Sequence, residues 1–488
     1  GGLAFLNTWD FPIYVALFSG AYALTRKGWK NGEKEEREYA SSKSESSLSG
    51  FAVIKQFLCM GIALGISGVL LYFPFYIGFS SQAGGLLPNL IYVTRGVYLW
   101  VMFGPLLFPI FLFLVYLVRS KKKSLDLKTG FKFSIWLVLG LMLVAHLLAM
   151  LIALLPNLQG INPDARLAPS AYLGSVAAPD WESLIREGFI RRLTIPGTMI
   201  TLLILLTLVF GYLLSNRQKN GSTNEEFDAS HSELLSPIQR YALLLILVGG
   251  LLVLGPEFVY LRDLFGYRIN TIFKFYFQAW LLWSVVAAYS AAVVWRELRS
   301  VGGGIIRFVM ILVLGMSLVY PTFSLWSKTQ GFNPSQGWTL DGTAYRLTSS
   351  PDEAAASDWL KDRPLGVIAE AVGGSYSQAA RISTHSGQPT VLGWDFHELQ
   401  WRGGSEEIGP RQGDIARLYC TRDWAEAASI LDLYDIRYIV VGNMERSTYN
   451  SENTSCVGGL QEMKFANNLE VVFQQGTVTI YQAPVKIH

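Results

Sequence analysis

The sequence predicts a polytopic α-helical membrane protein of about eight spans with an α/β domain at its C-terminal end. Three observations predict it. Hydrophobic residues make up 51% of the chain and charged residues only 16%, against about 25% charged in soluble domains. Apolar runs of membrane length recur through residues 1–326, and the mean hydropathy is +0.31. Over residues 327–488 those runs stop, and short strand and helix patterns alternate instead.

The apolar runs lie near 5–24, 51–75, 91–118, 133–155, 196–215, 238–260, 272–295 and 305–326. Two ionisable residues, Asp10 and Arg95, sit close to span ends, where a side chain reaches the interface at little cost. Alternate connections carry 18 and 7 Lys plus Arg. The richer set belongs in the cytoplasm, which places the C-terminal domain outside it. The inner connections 33–49 and 216–230 read as solvated linkers. A net charge of +3 excludes a nucleic-acid footprint, and three cysteines do not make a disulfide framework. Cys420 and Cys456 share the C-terminal region and are expected within disulfide range if that region is extracytoplasmic.

The polar stretch from Gly255 to Ser284 interrupts this pattern. Glu257, Arg262, Asp263, Arg268, Asn270 and Lys274 crowd between two apolar runs, interleaved with Tyr260, Tyr267 and Tyr276. Charge this dense beside a bilayer is costly unless paired or used, because a central charge costs about 2.5–3.5 kcal/mol on insertion scales. Two readings stay open: a structural ion-pair cluster pinning two helix ends, or a substrate site. The outer connection 156–196 holds a second signal. Pro179-Asp180-Trp181-Glu182 opens a helix whose Trp181, Leu184, Ile185 and Phe189 recur at helical spacing. That helix is expected to lie in the headgroup plane, with Arg191 and Arg192 meeting a lipid phosphate.

In the C-terminal region, 352–360 and 425–433 read as helices, 365–372 and 437–442 as strands, and 469–473 with 478–482 as a terminal hairpin. Between them Tyr376, Arg381, His397, Glu398, Trp401 and Arg402 crowd a run with little apolar periodicity, the composition of a binding edge. His397-Glu398 lacks the spacing of a zinc helix, and the chain has only five histidines. It contains no phosphate-cradling glycine loop, nucleophile elbow or CxxC pair.

Several long motifs carry a family likeness: FLNTWDFP at the start, YFPFYIGFSSQAGG at 72–85, GPEFVYLRDLFGYRINTIFKFYFQAW, EAVGGSYSQAARISTHSGQPTVLGWDFHELQWRG and YDIRYIVVGNMER. They resemble the uncharacterised YYY family of prokaryotic membrane proteins over nearly the whole chain, and more loosely the GT-C membrane glycosyltransferases. That resemblance implies sugar transfer from a polyprenyl-phosphate donor at the outer membrane face. Asp10, Glu257 or Asp263 would then act as general base or hold a divalent cation, magnesium or manganese. Arg262, Arg268 or Lys274 would neutralise the departing phosphate, and Asn270 would complete the shell. The shared face is expected to bring Asp10, the 257–271 connection and the His397 loops to one outward cavity. GT-C enzymes keep a key carboxylate in their first large outer loop, yet 80–89 holds no acid. Because the chain opens on Gly1-Gly2 without a methionine or signal peptide, that acid is expected upstream, in a longer protein. The alternatives are a transporter or flippase for a lipid-linked or anionic substrate, or a non-catalytic subunit of a membrane assembly. No internal repeat of the transporter kind is present.

The 18-to-7 division makes a direct prediction. Protease added to intact spheroplasts should remove the C-terminal domain. Protection there, with cleavage in inverted vesicles, would reverse the orientation.

Overall fold

The computed structural model describes residues 2–38, 50–79, 85–154, 169–215, 235–263, 265–298, 301–334, 337–401, 406, 408–450, 456 and 458–484. The chain forms two compact units, Gly1–Thr322 and Phe323–His488.

The first unit is helical. It opens with α1 (Gly2–Leu6), α2 (Asp10–Glu38), α3 (Gly50–Leu71) and α4 (Phe73–Ile77), then a short strand β1 (Leu86–Pro88). Helices α5 (Gly96–Ser120), α6 (Leu127–Leu154), α7 (Pro169–Ser175), α8 (Trp181–Thr194), α9 (Gly197–Leu213) and α10 (Pro237–Leu254) follow. Strand β2 (Val259–Leu261) precedes α11 (Ile269–Glu297) and α12 (Val301–Lys328). Six of these, α3, α5, α6, α10, α11 and α12, are long and apolar enough to cross a membrane. The pair α8–α9, bent by 67°, makes a seventh if it is one broken span. Among the described residues the count is thus six or seven, where about eight are expected. Helix α2, read as the first span, is charged from Arg26 through Glu38, so half its length is unsuited to lipid. That helix also runs through 33–38, which had been assigned to a linker; 39–49 and 216–230 lie outside the described residues.

Helix α5 buries Leu99, Phe103, Leu107, Ile110, Leu114 and Leu117, one stripe at helical spacing. Helix α11 packs against it and against α10. The fully buried Trp283 meets Phe103 edge-on with centroids 5.1 Å apart, and its indole N–H donates to the Ile246 carbonyl at 3.3 Å. In lipid such interlocking, rather than exclusion of water, holds helices together. Helices α3 and α12 bury only 6% of their apolar windows, so their faces are left for lipid. At the start of α10, Pro237 occupies the first turn, and Ser236 with Gln239 closes a capping box at 3.2 and 3.0 Å.

The second unit contains α13 (Tyr345–Ser349), α14 (Pro351–Lys361), β3 (Val367–Ala369), α15 (Arg381–Ser386), α16 (Asp395–Trp401) and α17 (Arg411–Cys420). It continues with α18 (Trp424–Leu433), β4 (Ile436–Val441), α19 (Asn443–Thr448), α20 (Met463–Asn468), β5 (Glu470–Gln475) and β6 (Val478–Gln482). Its sheet runs β3-β4-β6-β5, with β3 parallel to β4 and the other pairings antiparallel. Along β4, Tyr438 and Val440 enter one apolar cluster while Ile439 and Val441 enter the other. The period-2 alternation thus feeds two cores, one on each face of the sheet. The helices and strands expected here are all present, as α14, α18, β3, β4 and the β5–β6 hairpin. Cys420 and Cys456 form a disulfide, with Cα atoms 5.1 Å apart and a sequence separation of 36. A closed loop of that length restricts the unfolded chain by about 3–4 kcal/mol in the chain-entropy account.

Beside that disulfide, buried Lys464 donates to the carbonyls of Tyr419 at 3.2 Å and Thr421 at 2.6 Å. Burial pushes its ammonium down from 10.5 to about 8, with the Glu426 carboxylate opposing. A lysine with a depressed folded pKa costs stability wherever it stays protonated in both states. The cost is therefore complete below about pH 8 and fades as pH rises toward 10.5. The C-terminal unit should gain stability over that window. Half-buried Tyr434 and buried Tyr481, both pushed up to about 12, reverse the trend once unfolded tyrosines begin to ionise. Pulse proteolysis of the full chain should show the denaturant midpoint rising from pH 8, and Lys464→Met should flatten that rise.

Candidate functional site

In the first unit, the site is assembled on a two-stranded platform. Strands β1 and β2 pair antiparallel, Leu87 opposite Tyr260. Asn89, at the end of β1, fastens the next segment. Its backbone N–H donates to the Phe258 carbonyl at 2.7 Å, and its side-chain amide donates to Tyr92 and Pro256 carbonyls, both at 2.8 Å. Helix α8 then lies against this junction. Arg192 donates to the carbonyls of Leu90, Asn89 (2.7 Å) and Glu257 (2.8 Å), with its guanidinium 5.4 Å over the Phe258 ring. A guanidinium suits this task because its five donors can serve several carbonyls at once.

Glu257 is the hub. It is 2% exposed. Its Oε1 accepts from Arg268 Nη1 at 2.7 Å and from the Thr94 hydroxyl at 2.5 Å, while Oε2 accepts the Thr94 backbone N–H at 3.1 Å. Arg268, 8% exposed, also donates to the Pro256 carbonyl at 3.1 Å and to Thr94 Oγ1 at 3.2 Å. The Thr198 hydroxyl donates to the Thr94 carbonyl at 2.7 Å. These bonds tie the starts of α5, α9 and α11 together. The ion-pair reading of the polar stretch therefore holds for Glu257 with Arg268, and leaves Glu257 no open face for a base or a ligand.

Around this knot opens a cavity of about 640 Å³ whose lining includes Ile91, Arg95, Arg191, Ile195, Arg268 and Ile272. Arg95 is the N-cap of α5 and Arg268 that of α11, while Ile195 immediately precedes Pro196, the N-cap of α9. Two helix N-termini, those of α5 and α11, thus open on the pocket, each carrying roughly half a positive charge. Ile195 is also the C-cap of α8 and brings that helix's negative end to the same wall, with the start of α9 directly behind it. Gly96 and Gly197 make the convergence possible: a Cβ on Gly96 would lie 2.9 Å from the Gly197 backbone, and the reverse contact is 3.0 Å. The guanidinium groups of Arg95, Arg191, Arg192 and Arg268 face two carboxylates, Glu257 and the Glu187 that pairs with Arg191 at 2.7 Å. Among the described residues Arg95 has no carboxylate partner; it lies 6.0 Å over the Tyr98 ring. The pocket is cationic, with isoleucine walls.

The remaining expected residues of this unit fall into separate groups. Asp263 accepts the Phe265 N–H at 2.9 Å and the Asn270 amide at 3.0 Å, and so holds the turn into α11. Arg262 bonds through its backbone N–H to the Gly85 carbonyl at 2.8 Å, extending the β1–β2 platform. Asp10 accepts from Asn7 at 2.9 Å and has Gln278 and Lys274 of α11 beside it. The Lys274 ammonium sits 4.5 Å over the Trp9 ring. The NTWD segment and the polar stretch do meet, but through Lys274 rather than through Glu257.

In the second unit, Tyr376, Trp394 and His397 form an aromatic group, with His397 Nε2 3.0 Å from the Tyr376 hydroxyl and Tyr376 79% exposed. Glu398 accepts the Gly393 N–H at 2.8 Å. Arg381 is buried between Glu445 (3.1 Å) and Glu353 (2.8 Å). Glu370 accepts the N–H groups of Ile382 and Ser383 at 2.9 and 3.0 Å, and burial raises its carboxyl above the usual range against those bonds. Trp401 ends α16, and Arg402 lies outside the described residues. Among the described residues no three His, Cys, Asp or Glu gather as a metal site. The expected cation therefore lacks a ligand set there, and no step below is routed through one.

Thr94 and Asn89 escaped the sequence reading, and Arg95 entered it only as an ionisable residue close to a span end, not as a site residue. Thr94-Arg95-Gly96 lie near the start of the run 91–118, just where α5 begins, and a helix N-terminus there was the available signal.

Six or seven membrane-length helices among the described residues, with a cationic pocket at the starts of α5 and α11, define a multi-pass integral membrane protein. The family model for uncharacterized membrane protein (DUF2298) matches residues 1–283, and the chain belongs to that family. No curated protein and no solved structure matches the chain.

Removing one member of a buried ion pair costs about 3–5 kcal/mol, whereas replacing both by apolar groups of similar volume is often near neutral. Glu257→Gln should therefore lower the thermal midpoint of the detergent-solubilised protein sharply. Glu257→Leu combined with Arg268→Met should recover part of the loss. A Glu257→Gln protein as stable as the wild type would remove the pair from its central place.

Proposed function

We propose that this protein takes a polyprenyl-phosphate-linked sugar at the outer membrane face and transfers the sugar, as GT-C-like glycosyltransferases do. The observation that carries the reading is the pocket in which the N-termini of α5 and α11 and the guanidiniums of Arg95, Arg191 and Arg268 surround a space walled by isoleucines. Guanidinium forks match phosphate oxygens, and the apolar walls suit the first prenyl units. When the bond between the sugar's anomeric carbon and the phosphate oxygen breaks, negative charge grows on that oxygen. Fixed donors and helix dipoles stabilise it without reorganising. Buried Glu257 contributes by holding Arg268 at the rim. Asp10 is the carboxylate proposed to take the acceptor's proton. The outer location draws support from the Lys and Arg distribution and from the Cys420–Cys456 disulfide, a bond that belongs to oxidising compartments.

A second reading, a lipid-linked substrate carrier or binding subunit, is favoured by one observation. Glu257 and Asp263 are both committed to structural bonds, so the polar stretch offers no spare acid.

Undecaprenyl phosphate and the uncharged prenol, added to the purified chain in nanodiscs, separate these ideas from a purely structural cluster. The phosphate should bind and the prenol should not. Arg95→Gln with Arg191→Gln should weaken phosphate binding at least about tenfold, since charge-assisted bonds are worth about 1.5–3 kcal/mol each. Equal binding of phosphate and prenol would end the proposal. Asp10→Asn should leave binding intact and abolish sugar release. Intact release from a donor lipid in that variant would take the base role from Asp10.

A further inference from the structure

The C-terminal unit contains a second pocket that the proposed chemistry does not use. It measures about 430 Å³ and lies among α13, α14, α15 and α19. Arg346 of α13 lines it, is 9% exposed, and spends one nitrogen, Nη2, on Asp358 at 3.3 Å. Its Nε and Nη1 are buried with no hydrogen-bond acceptor. Buried donors are nearly always satisfied, so two on one guanidinium beside a cavity mark a place for acceptor atoms.

The geometry of the guanidinium decides what kind of ligand. Nε–H and Nη1 do not share an edge of the fork, because Nη2 lies between them on the donating edges. A single carboxylate or phosphate bonding bidentately cannot take both. A ligand presenting oxygens at several positions can. Charge points the same way. Arg346 and Lys361 share Asp358, and Arg381 lies between Glu353 and Glu445, so three cations meet three carboxylates and the surroundings carry no surplus positive charge to attract an anion. His385, which also lines the pocket, is held toward its neutral form by burial and by Arg346.

The rim supplies the complement. Gln378 and Asn443 are exposed, and among the described residues neither side-chain amide has a hydrogen-bond partner. Each offers both a donor and an acceptor, as a hydroxyl does. Glu353 adds an acceptor already fixed by Arg381. Tyr345, 46% exposed, presents a ring at the edge for an apolar C–H face. Donors without partners, amides able to pair both ways and one aromatic edge, with no net charge, are what a sugar ring needs. We infer that this pocket is a binding site for an uncharged saccharide, held by Arg346, Gln378 and Asn443 with Tyr345 against the ring. The inference stands on the C-terminal unit alone and does not depend on the glycosyl-transfer reading.

The test reads binding rather than turnover. Saturation-transfer NMR on the full chain in nanodiscs would use glucose, galactose, mannose and N-acetylglucosamine, with inorganic phosphate as the charged control. At least one saccharide should show transfer, and inorganic phosphate should not displace it. Asn443→Ala and Tyr345→Ala alter exposed side chains, so their melting curves should match the wild type while affinity falls about tenfold or more, the loss of about 1.4 kcal/mol. Arg346→Gln should abolish the signal. No transfer from any of the four sugars would overturn the inference. So would displacement by phosphate, which would make this an anion site, or undiminished binding in both folded rim variants.

Discussion

The membrane unit depends on a carboxylate placed where a carboxylate is expensive. Glu257 is removed from solvent, and only Arg268 and Thr94 make that tolerable. Because Thr94 stands before α5, Arg268 before α11, and Thr198 at the start of α9, neutralising one charge also fixes three helix starts. The same donors that satisfy Glu257 therefore set the positions of the arginines facing the pocket. A purely apolar knot would pack as well, but it would not aim a guanidinium.

Much of this was legible in the residues. The stretch 255–284 declared itself by charge density beside apolar runs, and its pairing alternative named both Glu257 and Arg268. The C-terminal elements followed from the residue pattern: 365–372 and 437–442 read as strands where Val367–Ala369 and Ile436–Val441 form, 352–360 as the helix Pro351–Lys361, and 469–473 with 478–482 as the terminal hairpin. The pairing of Cys420 with Cys456 followed from a shared compartment. Arg95 did not follow. Its importance comes from lying near Arg191 and Arg268, far away in sequence, and a single chain pattern carries no signal for that. Arg192 was read as a lipid contact, yet it serves three carbonyls, because no sequence pattern shows which backbone acceptors lack a donor. Helix α2, read as a span, is not among the six long apolar helices for a simpler reason: charged residues continue its apolar half instead of ending it.

The two pockets solve opposite recognition problems. In the membrane unit guanidiniums exceed carboxylates, which suits a charge arriving with a greasy tail. In the C-terminal unit each arginine is matched by acids, and what remains is directional hydrogen bonding. The first selects by potential and the second by the placement of donors and acceptors. Salt should weaken the former far more than the latter.

The contact between Gly96 and Gly197 has a mechanical side. These glycines sit at the first turns of helices of 25 and 17 residues, which extend about 1.5 Å per residue away from the touching point. Two rigid rods joined at one end act as a pair of tongs. A shift of a few tenths of an ångström at the pivot, such as one added methyl would force, opens into a larger displacement at the far ends. The rim of the pocket and the opposite ends of these two helices are thus geared to one another through a point with room for nothing but hydrogen.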